Sequence, residues 1–506
     1  LAAALPAAGA ETSLLPNPSF EAGAGDRPDG WTLEGAGRWL DAGAADLKRA
    51  VAATGTGEES SAWRSGPLPL QPGGLYRLAF RAKKIDGSGG TPVTGPWFCN
   101  RDLGDAPADW TPYESVFAAP SALRPADAWI RFGQWHVKGT VAFDAVELNT
   151  AQPVYARAGS LVLGEGERVR GTAYDFEAPF HAMTNHSRPL AGFTCGFNSN
   201  RWTLGGGGEV VYRHAVGDRK QVAAETTVSV TYHTGGELAV EASTDGTAWQ
   251  TLGTIPKLET RTFKVPAAML PAGEVWIRLR ASAKASLQVG AYGYRATLAG
   301  EPAALVGSTR YVSVLEIDPR VEVTITSLDF PSQGDDLVLR ARVKNTTGRP
   351  LPAQPSVTLE RGGKPPVALK NNVVLSAGEN SICAPYPPPA SGLNTIRFSL
   401  GGDLRYSAST SLRVAELHDA SYGERLPASS DAVGLWWASS GWKISRTRPL
   451  PEAKGAALLV RAARNEAEAA QLVVRPARAL KGLTLAAGPL AGPHGAPLPA
   501  SAVEIL

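Results

Sequence analysis

Stretches of alternating apolar and polar residues recur along the chain, separated by turns rich in glycine, proline and asparagine. The period of two is clear in residues 76–83 (YRLAFRAK) and on both sides of Asp245-Gly246 in residues 237–252 (ELAVEASTDGTAWQTL). Successive side chains of a β-strand point to opposite faces, so this pattern predicts half-buried strands, and Asp-Gly predicts a hairpin turn. We therefore expect an all-β chain of serial β-sandwiches.

The 506-residue length indicates several units, because hydrophobic cores stop growing near about 250–300 residues. Glycine and proline account for 55 and 39 residues, together 94 of 506, which is below the range typical of disordered chains. We expect an N-terminal extension or signal-like segment and four folded units, in the order 1–10, 11–150, 151–303, 304–416 and 417–506.

The third of these units contains short strand-like segments separated by turns, which suggests an immunoglobulin-like sandwich. They are residues 321–328, 336–344, 355–360 and 393–400. The unit contains neither tryptophan nor histidine, so a spacer role is expected.

Charge and cysteine content exclude several classes of protein. A formal net charge of +3 and the lack of any lysine or arginine block argue against a nucleic-acid partner. No run of 18 apolar residues occurs, so no membrane-spanning helix is predicted. The three cysteines, Cys99, Cys195 and Cys383, lie too far apart for a disulfide framework or a CxxC metal site.

The N-terminus indicates export. Residues 1–10 (LAAALPAAGA) are apolar and end in Ala8-Gly9-Ala10, which has the small-x-small form of a signal-peptidase site. The composition, rich in alanine, glycine, proline and arginine, is typical of bacteria. A secreted or cell-surface bacterial location is therefore expected.

The first folded unit resembles carbohydrate-binding modules of the galactose-binding-like jelly-roll type. The resemblance rests on residues 14–23 (LLPNPSFEAG), on 28–31 (PDGW) and on 140–148 (TVAFDAVEL), which is like the last strand of that family. It implies binding of a polysaccharide or other glycan. It also implies a structural Ca²⁺ held by the first and last strands, where Glu21 and Asp144 match, and carboxylates are the hard ligands that Ca²⁺ prefers.

Seven of the thirteen tryptophans lie in this first unit. Sugar rings pack on indole, and sugar hydroxyls require planar polar partners. Two segments, WFCNRD at 97–102 and RFGQWH at 131–136, supply both, whereas Trp31 and Trp129 are expected in the core. The candidate carbohydrate-binding residues are Trp97, Asn100, Arg101, Arg131, Gln134 and Trp135.

Polar side chains with possible functional roles are most frequent in residues 174–214 of the second unit. His181, His186 and His214 permit two functional hypotheses: a proton-abstracting site of a jelly-roll polysaccharide lyase, or a transition-metal site. The alternative to both is a polar rim that faces water or a bound sugar.

The last unit resembles the N-terminal β-sandwich that precedes the catalytic barrel in glycoside hydrolase family 123. The resemblance rests on residues 435–444 (LWWASSGWKI) and 463–476 (ARNEAEAAQLVVRP). Strands are expected at 456–460 and 471–474, and Arg464, Asn465 and Glu466 are expected to be structural. The 30 residues after Pro476 are too few for a barrel of about 200 residues, and no pair of catalytic carboxylates is found.

The sequence thus predicts a carbohydrate-binding, non-catalytic accessory region of an exported, multidomain polysaccharide-degrading protein. A first alternative is a structural surface or filament subunit assembled by strand exchange between the apolar N-terminal segment and an incomplete C-terminal sandwich with an open edge. A second alternative is the polysaccharide lyase.

Overall fold

The fold is all-β, as predicted. A computed structural model describes residues 13–328, 337–361, 364–370, 372–386, 389, 392–414, 423–444, 450–463, 466–491 and 497–506. In these ranges there is no α-helix and no catalytic barrel, and no helix is long and apolar enough to cross a bilayer. The short 3-10 helices are Pro125–Asp127, Phe180–Ala182, Ala267–Met269 and Ala500–Ala502.

The N-terminal sandwich packs two sheets around an aromatic core. In the strand Leu75–Ser88, the residues predicted to alternate do alternate between buried and partly exposed positions. The strands of this part are Gly23–Ala24, Arg27–Pro28, Trp31–Glu34, Ala36–Leu40, Ala50–Thr56, Ser60–Ser65, Leu75–Ser88, Thr91–Gly95, Cys99–Asp102, Thr111–Ala118, Arg131–Trp135 and Lys138–Ala158.

The middle part contains the predicted hairpin. Its arms, Leu238–Ser243 and Gln250–Ile255, are antiparallel, and the Asp245 carboxylate accepts two backbone N–H groups of the turn. Trp249, just before the second arm, is only partly buried, and its ring centroid lies 4.3 Å from the Arg278 guanidinium. The other strands are Leu161–Leu163, Glu167–Arg170, Ala173–Glu177, Leu190–Phe193, Gly196–Asn198, Arg201–Gly205, Glu209–Ala215, Gln221–Gly235, Glu259–Lys264, Glu274–Ala281 and Ser286–Leu298.

The following part has a separate hydrophobic core between two sheets. The segment predicted at 321–328 is a strand with those bounds. The strands are Leu305–Val306, Thr309–Glu316, Val321–Leu328, Leu337–Asn345, Leu351–Arg361, Lys364–Lys370, Val373–Leu375, Gly378–Tyr386, Gly392–Gly401 and Tyr406–Val414. The immunoglobulin-like assignment stays a prediction.

The C-terminal part pairs the two segments on which the family 123 resemblance rests. Val433–Ser439 and Ala470–Pro476 are antiparallel, and the remaining short strands are Glu424–Arg425, Leu490–Ala491 and Pro497–Leu498. The prediction of a strand at 456–460 is wrong: these residues are irregular and exposed, and no strand of the described ranges pairs with them. That prediction rested on the apolar composition of the segment alone.

Of the three residues expected to be structural in this region, Glu466 accepts the backbone N–H of Ala463. Arg464 and Asn465 lie outside the described residues.

One sheet joins the first two units. Cys99–Asp102 runs parallel to Gly196–Asn198, with Cys99 opposite Phe197 and Asn100 opposite Asn198. The joined sheet has 13 strands, and one hydrophobic cluster contains buried residues of both units. This junction, which we call the seam, determines the surface described below.

The strand Lys138–Ala158 runs without interruption past residue 150. Its C-terminal half pairs with Thr309–Glu316 of the third unit. The expected boundary between residues 150 and 151 therefore falls inside a strand, and the division into units stays a prediction.

Candidate functional site

Five side chains form a row across one face of the 13-stranded sheet. Arg131 lies opposite Arg64, Asn198 lies opposite Asn100, and Arg201 lies opposite Asn198. Directly opposite residues of neighbouring strands point to the same face. We call Arg64, Arg131, Asn100, Asn198 and Arg201 the polar row; it begins in the first unit and crosses the seam into the second.

The centre of the polar row is a chain of side-chain hydrogen bonds. Arg131 Nη2 donates to Asn100 Oδ1 at 2.9 Å. Asn100 Nδ2 donates to Asp102 Oδ1 at 2.8 Å and to Asn198 Oδ1 at 3.2 Å. Both amides are therefore oriented by protein groups.

Gly95 allows a close approach of the backbone next to Asn100. It lies opposite Arg131 on the neighbouring strand and has a φ of +92°. A Cβ at this position would lie 2.7 Å from the carbonyl oxygen of Cys99. Only glycine adopts such a conformation readily, so a side chain at Gly95 would displace the backbone that carries Asn100.

Arg131 lacks an ion-pair partner. Among the described residues, no carboxylate oxygen lies within 4.0 Å of its guanidinium, and its buried Nε has no hydrogen-bond partner. Burial lowers the pKa of Arg131, while the more distant charges of Glu34 and Asp102 raise it. An arginine nevertheless stays charged in proteins, so Arg131 places a positive charge on this surface without a carboxylate of the described residues in direct contact.

Trp97 lies in the loop between the strands that carry Gly95 and Asn100, beside the polar row. Its side chain is 40% exposed. Its indole N–H donates to the carbonyl of Asp127 at 3.1 Å, and its ring meets Phe98 edge-on. Two contacts therefore fix the orientation of an exposed indole.

Trp135 ends the strand Arg131–Trp135 and is 51% exposed. Its ring is stacked on that of His136, with 3.9 Å between centroids and 13° between planes. His136 has a φ of +57°, and this left-handed conformation allows neighbouring side chains to point the same way. The imidazole supports one face of the indole.

Small and apolar residues separate Arg131 from Trp135. The four-residue interval corresponds to about 13 Å along a strand. Gly133 lies between them, opposite Ala62 and Val93 on the adjacent strands. All three are buried, so no exposed side chain of these positions lies between Arg131 and Trp135.

Two of the six predicted residues point into the sandwich. Gln134 is fully buried; its amide donates to the carbonyl of Glu59 and accepts the N–H of Val137. Arg101 alternates with Asn100 and donates to the carbonyl of Glu114 in the other sheet. The other four, Trp97, Asn100, Arg131 and Trp135, share the outer face and its rim.

Sequence reasoning did not place Trp129 on this surface. Trp129 was expected in the core, but it is only partly buried, and the Arg64 guanidinium lies 4.7 Å from its ring. Its position two residues before Arg131 was an available signal, because such residues share a face. Asn198 and Arg201 belong to the polar residues 174–214, but their contact with the first unit had no local signal.

Glu21 and Asp144 hold one loop of the first unit. Glu21 Oε1 accepts the backbone N–H groups of residues 48 and 49, and Asp144 Oδ2 accepts those of residues 45 and 46. The described ranges contain no group of three or more potential metal ligands. Carboxylate oxygens that face N–H donors do not form the oxygen cage that Ca²⁺ requires. This donor set does not fit the ion, and calcium binding stays a prediction.

The three histidines of the second unit lie in separate environments. His214 is fully buried and hydrogen-bonded to the Tyr292 hydroxyl, and burial lowers its pKa well below the usual range. His186 contacts the Tyr311 hydroxyl at 2.9 Å. His181 is exposed. The three histidines therefore do not meet as metal ligands. His214 does contact the hydroxyls of Tyr174 and Tyr292, but all three side chains are buried, so this cluster offers no surface for a polysaccharide.

Comparisons with known proteins gave structural matches only. No protein-family model and no curated protein matches the chain. A tandem of CBM22 modules from Paenibacillus barcinonensis Xyn10C is 12% identical, with a TM-score of 0.24 over 57% of this chain and 99% of that one.

Two glycosidases are also among the matches, each 12% identical to this chain. Bacteroides uniformis β-glucuronidase has a TM-score of 0.15 over 42% of this chain and 26% of its own. A putative β-galactosidase from Bacteroides fragilis has a TM-score of 0.18 over 45% and 34%. The chain thus spans about a quarter to a third of these enzymes, and at such scores the matches carry no functional argument.

Proposed function

We propose that this chain binds carbohydrate without catalysis, through the sheet face that carries the polar row. The observation that supports this most directly is the exposure of tryptophan. Of the thirteen tryptophans, all within the described ranges, Trp97 and Trp135 are the two with large exposed surfaces. Trp97 lies beside the polar row, and Trp135 lies about 13 Å from Arg131 along the same strand. Exposed aromatic rings on a face that also carries planar polar groups match the two surfaces of a sugar.

The two rings are also held in place before any ligand arrives. Trp97 is fixed by a hydrogen bond to Asp127, and Trp135 is fixed by stacking on His136. A platform ordered in advance loses little conformational entropy on binding, which improves affinity. Buried tryptophans such as Trp63 and Trp202 serve the core instead.

The wider role proposed is that of an accessory region in an exported, multidomain polysaccharide-degrading protein. Support comes from the sequence resemblances of residues 14–31 and 463–476 and from the signal-like residues 1–10, which lie outside the described residues. The third unit would then be an immunoglobulin-like spacer.

Affinity electrophoresis on a panel of plant, algal and animal-type glycans tests the proposal. We expect at least one glycan to retard the protein, and Trp97→Ala or Trp135→Ala to abolish the retardation. Trp110→Ala is the matched control, because Trp110 is partly buried beside the other sheet, under Lys83. If no glycan retards the folded protein, the proposal fails.

A further inference from the structure

Resting on the proposed function, we infer that the ligand is an acidic polysaccharide whose chain crosses the seam, with Arg131 and Arg201 contacting anionic groups in the two units. The inference depends on which polar atoms of the polar row are already used by the protein and which remain available. It adds a ligand class and a footprint to the proposed binding face.

The amide oxygens of the polar row are occupied. Asn100 uses its N–H groups on Asp102 and Asn198, and its oxygen accepts from Arg131. Asn198 Oδ1 also accepts the hydroxyl of Ser199. A sugar hydroxyl that donates to either amide oxygen would therefore have to displace an existing hydrogen bond.

Guanidinium N–H groups are what the polar row still offers. Within the part of the chain that the structure describes, Arg131 donates only to Asn100, and no hydrogen bond involves its Nη1. With the same scope, Arg201 donates only to the amide oxygens of Gln288 and Asn200. Neither arginine forms an ion pair with a described carboxylate, whereas Arg64 at the outer end is paired with Glu34.

Donors without acceptors favour a ligand group that only accepts. A carboxylate or sulfate meets this requirement, and a carboxylate also fits the planar fork of a guanidinium with two parallel hydrogen bonds. Arg131 is partly desolvated, so its attraction for an anion is screened less than that of a fully exposed arginine. A uronic acid or a sulfated sugar therefore suits this position better than a neutral one.

The distance across the seam sets the length of ligand that can contact both arginines. The strands of Arg131 and Arg201 are separated by three others, and neighbouring strands lie about 4.8 Å apart, so the two arginines are about 19 Å apart across the sheet. The parallel pair at Asn100 and Asn198 keeps the face continuous between them. An oligosaccharide, but not a monosaccharide, would contact both.

The test compares acidic polymers with neutral ones. Polygalacturonate, alginate, hyaluronan and dextran sulfate are run in affinity electrophoresis beside methyl-esterified polygalacturonate, galactomannan and dextran. We expect retardation by an acidic polymer, weaker at high salt, and little by its neutral counterpart; the uronates and dextran sulfate distinguish carboxylate from sulfate. Retardation by neutral polymers alone would overturn this inference while leaving the proposed function intact.

Calorimetry with a trimer and a hexamer of the retarding polymer tests the footprint. Arg131→Gln should weaken both oligomers by about tenfold, as expected for one charge-assisted contact. Arg201→Gln should weaken only the hexamer. Arg413→Gln, an exposed arginine of the third unit, should change neither affinity. Equal effects of Arg201→Gln on both oligomers, or no effect on either, would contradict a chain that crosses the seam.

Discussion

The indole of Trp135 lies flat on the imidazole of His136, a residue in the left-handed backbone region. The histidine therefore acts as a support that keeps one face of the indole covered and the other face in a fixed direction. We predict that His136→Ala leaves the fold intact but weakens glycan binding by about threefold to tenfold, because the freed indole must be ordered at each binding event.

Calorimetric titration with the retarding glycan measures this effect. Trp135 fluorescence should also shift to longer wavelength in the variant as the ring gains solvent contact. His181→Ala, at an exposed position away from this surface, is the control. An unchanged affinity in His136→Ala would show that Trp135 needs no support.

Gly95 allows a second prediction, because a side chain there would both strain the backbone and displace the Cys99 carbonyl, which is next to Asn100 in the chain. Gly95→Ala should lower the unfolding free energy by about 1–3 kcal/mol and reduce binding to acidic glycans. Gly104→Ala is the matched control, since Gly104 also has a positive φ but has open space around it. Both variants should lose stability in thermal scans, but only Gly95→Ala should lose affinity; equal losses of affinity would refute the steric argument.

The loop held by Glu21 and Asp144 leads to a prediction about calcium. Each carboxylate accepts two backbone N–H groups, and hydrogen bonds to charged groups contribute about 1.5–3 kcal/mol. Glu21→Gln and Asp144→Asn should therefore each lower the melting temperature, whereas CaCl₂ or EDTA should not change that of the unmodified protein.

Asp105→Asn is the control for this experiment, because Asp105 forms an exposed ion pair with Lys84 and such pairs contribute little. A rise in melting temperature on adding calcium, lost in either Glu21→Gln or Asp144→Asn, would instead establish the calcium site that the sequence resemblance implies.

Buried histidines predict acid sensitivity of the fold. Burial lowers the pKa of His186 from 6.5 to about 4 and lowers that of His214 in the same direction. Between the pKa of the folded chain and the ordinary value of 6.5, the unfolded chain binds a proton that the folded chain does not. This contribution to stability is therefore complete above pH 6.5 and is lost progressively as the pH falls. The loss is about 1.4 kcal/mol per pH unit for each such histidine.

Urea unfolding at a series of pH values measures this slope. His186→Gln should reduce it by one histidine's share, and His181→Gln, at an exposed position, should leave it unchanged. A slope that His186→Gln does not alter would mean that other groups cause the acid sensitivity.

Local pattern predicted the strands well because alternation directly reports a half-buried face. Residues 76–83 and 321–328 are strands, and the same period of two separates Asn100 from Arg101 and Trp135 from Gln134. The wrong strand prediction at 456–460 shows that apolar composition alone does not produce a strand where no partner strand is present in the described ranges.

The seam could not be predicted from sequence, for a physical reason. Asn100 and Asn198 are 98 residues apart and meet only because two short strands run parallel. Parallel pairing requires no tight turn and leaves no local signal. The candidate residues of the first unit and the polar residues 174–214 were therefore visible in the sequence, while the alignment of Arg201 with Asn100 and Arg131 was not.

The continuous sheet also has a mechanical consequence. Two modules joined by a flexible linker sample many separations. Their combined affinity for a polymer then depends on the effective concentration of the second module near its site. In this chain a hydrogen-bonded ladder sets the interval between Arg131 and Arg201, with no hinge between them. Under the proposed function, this fixed distance is expected to make the surface select polymers by the spacing of their charges as well as by their number.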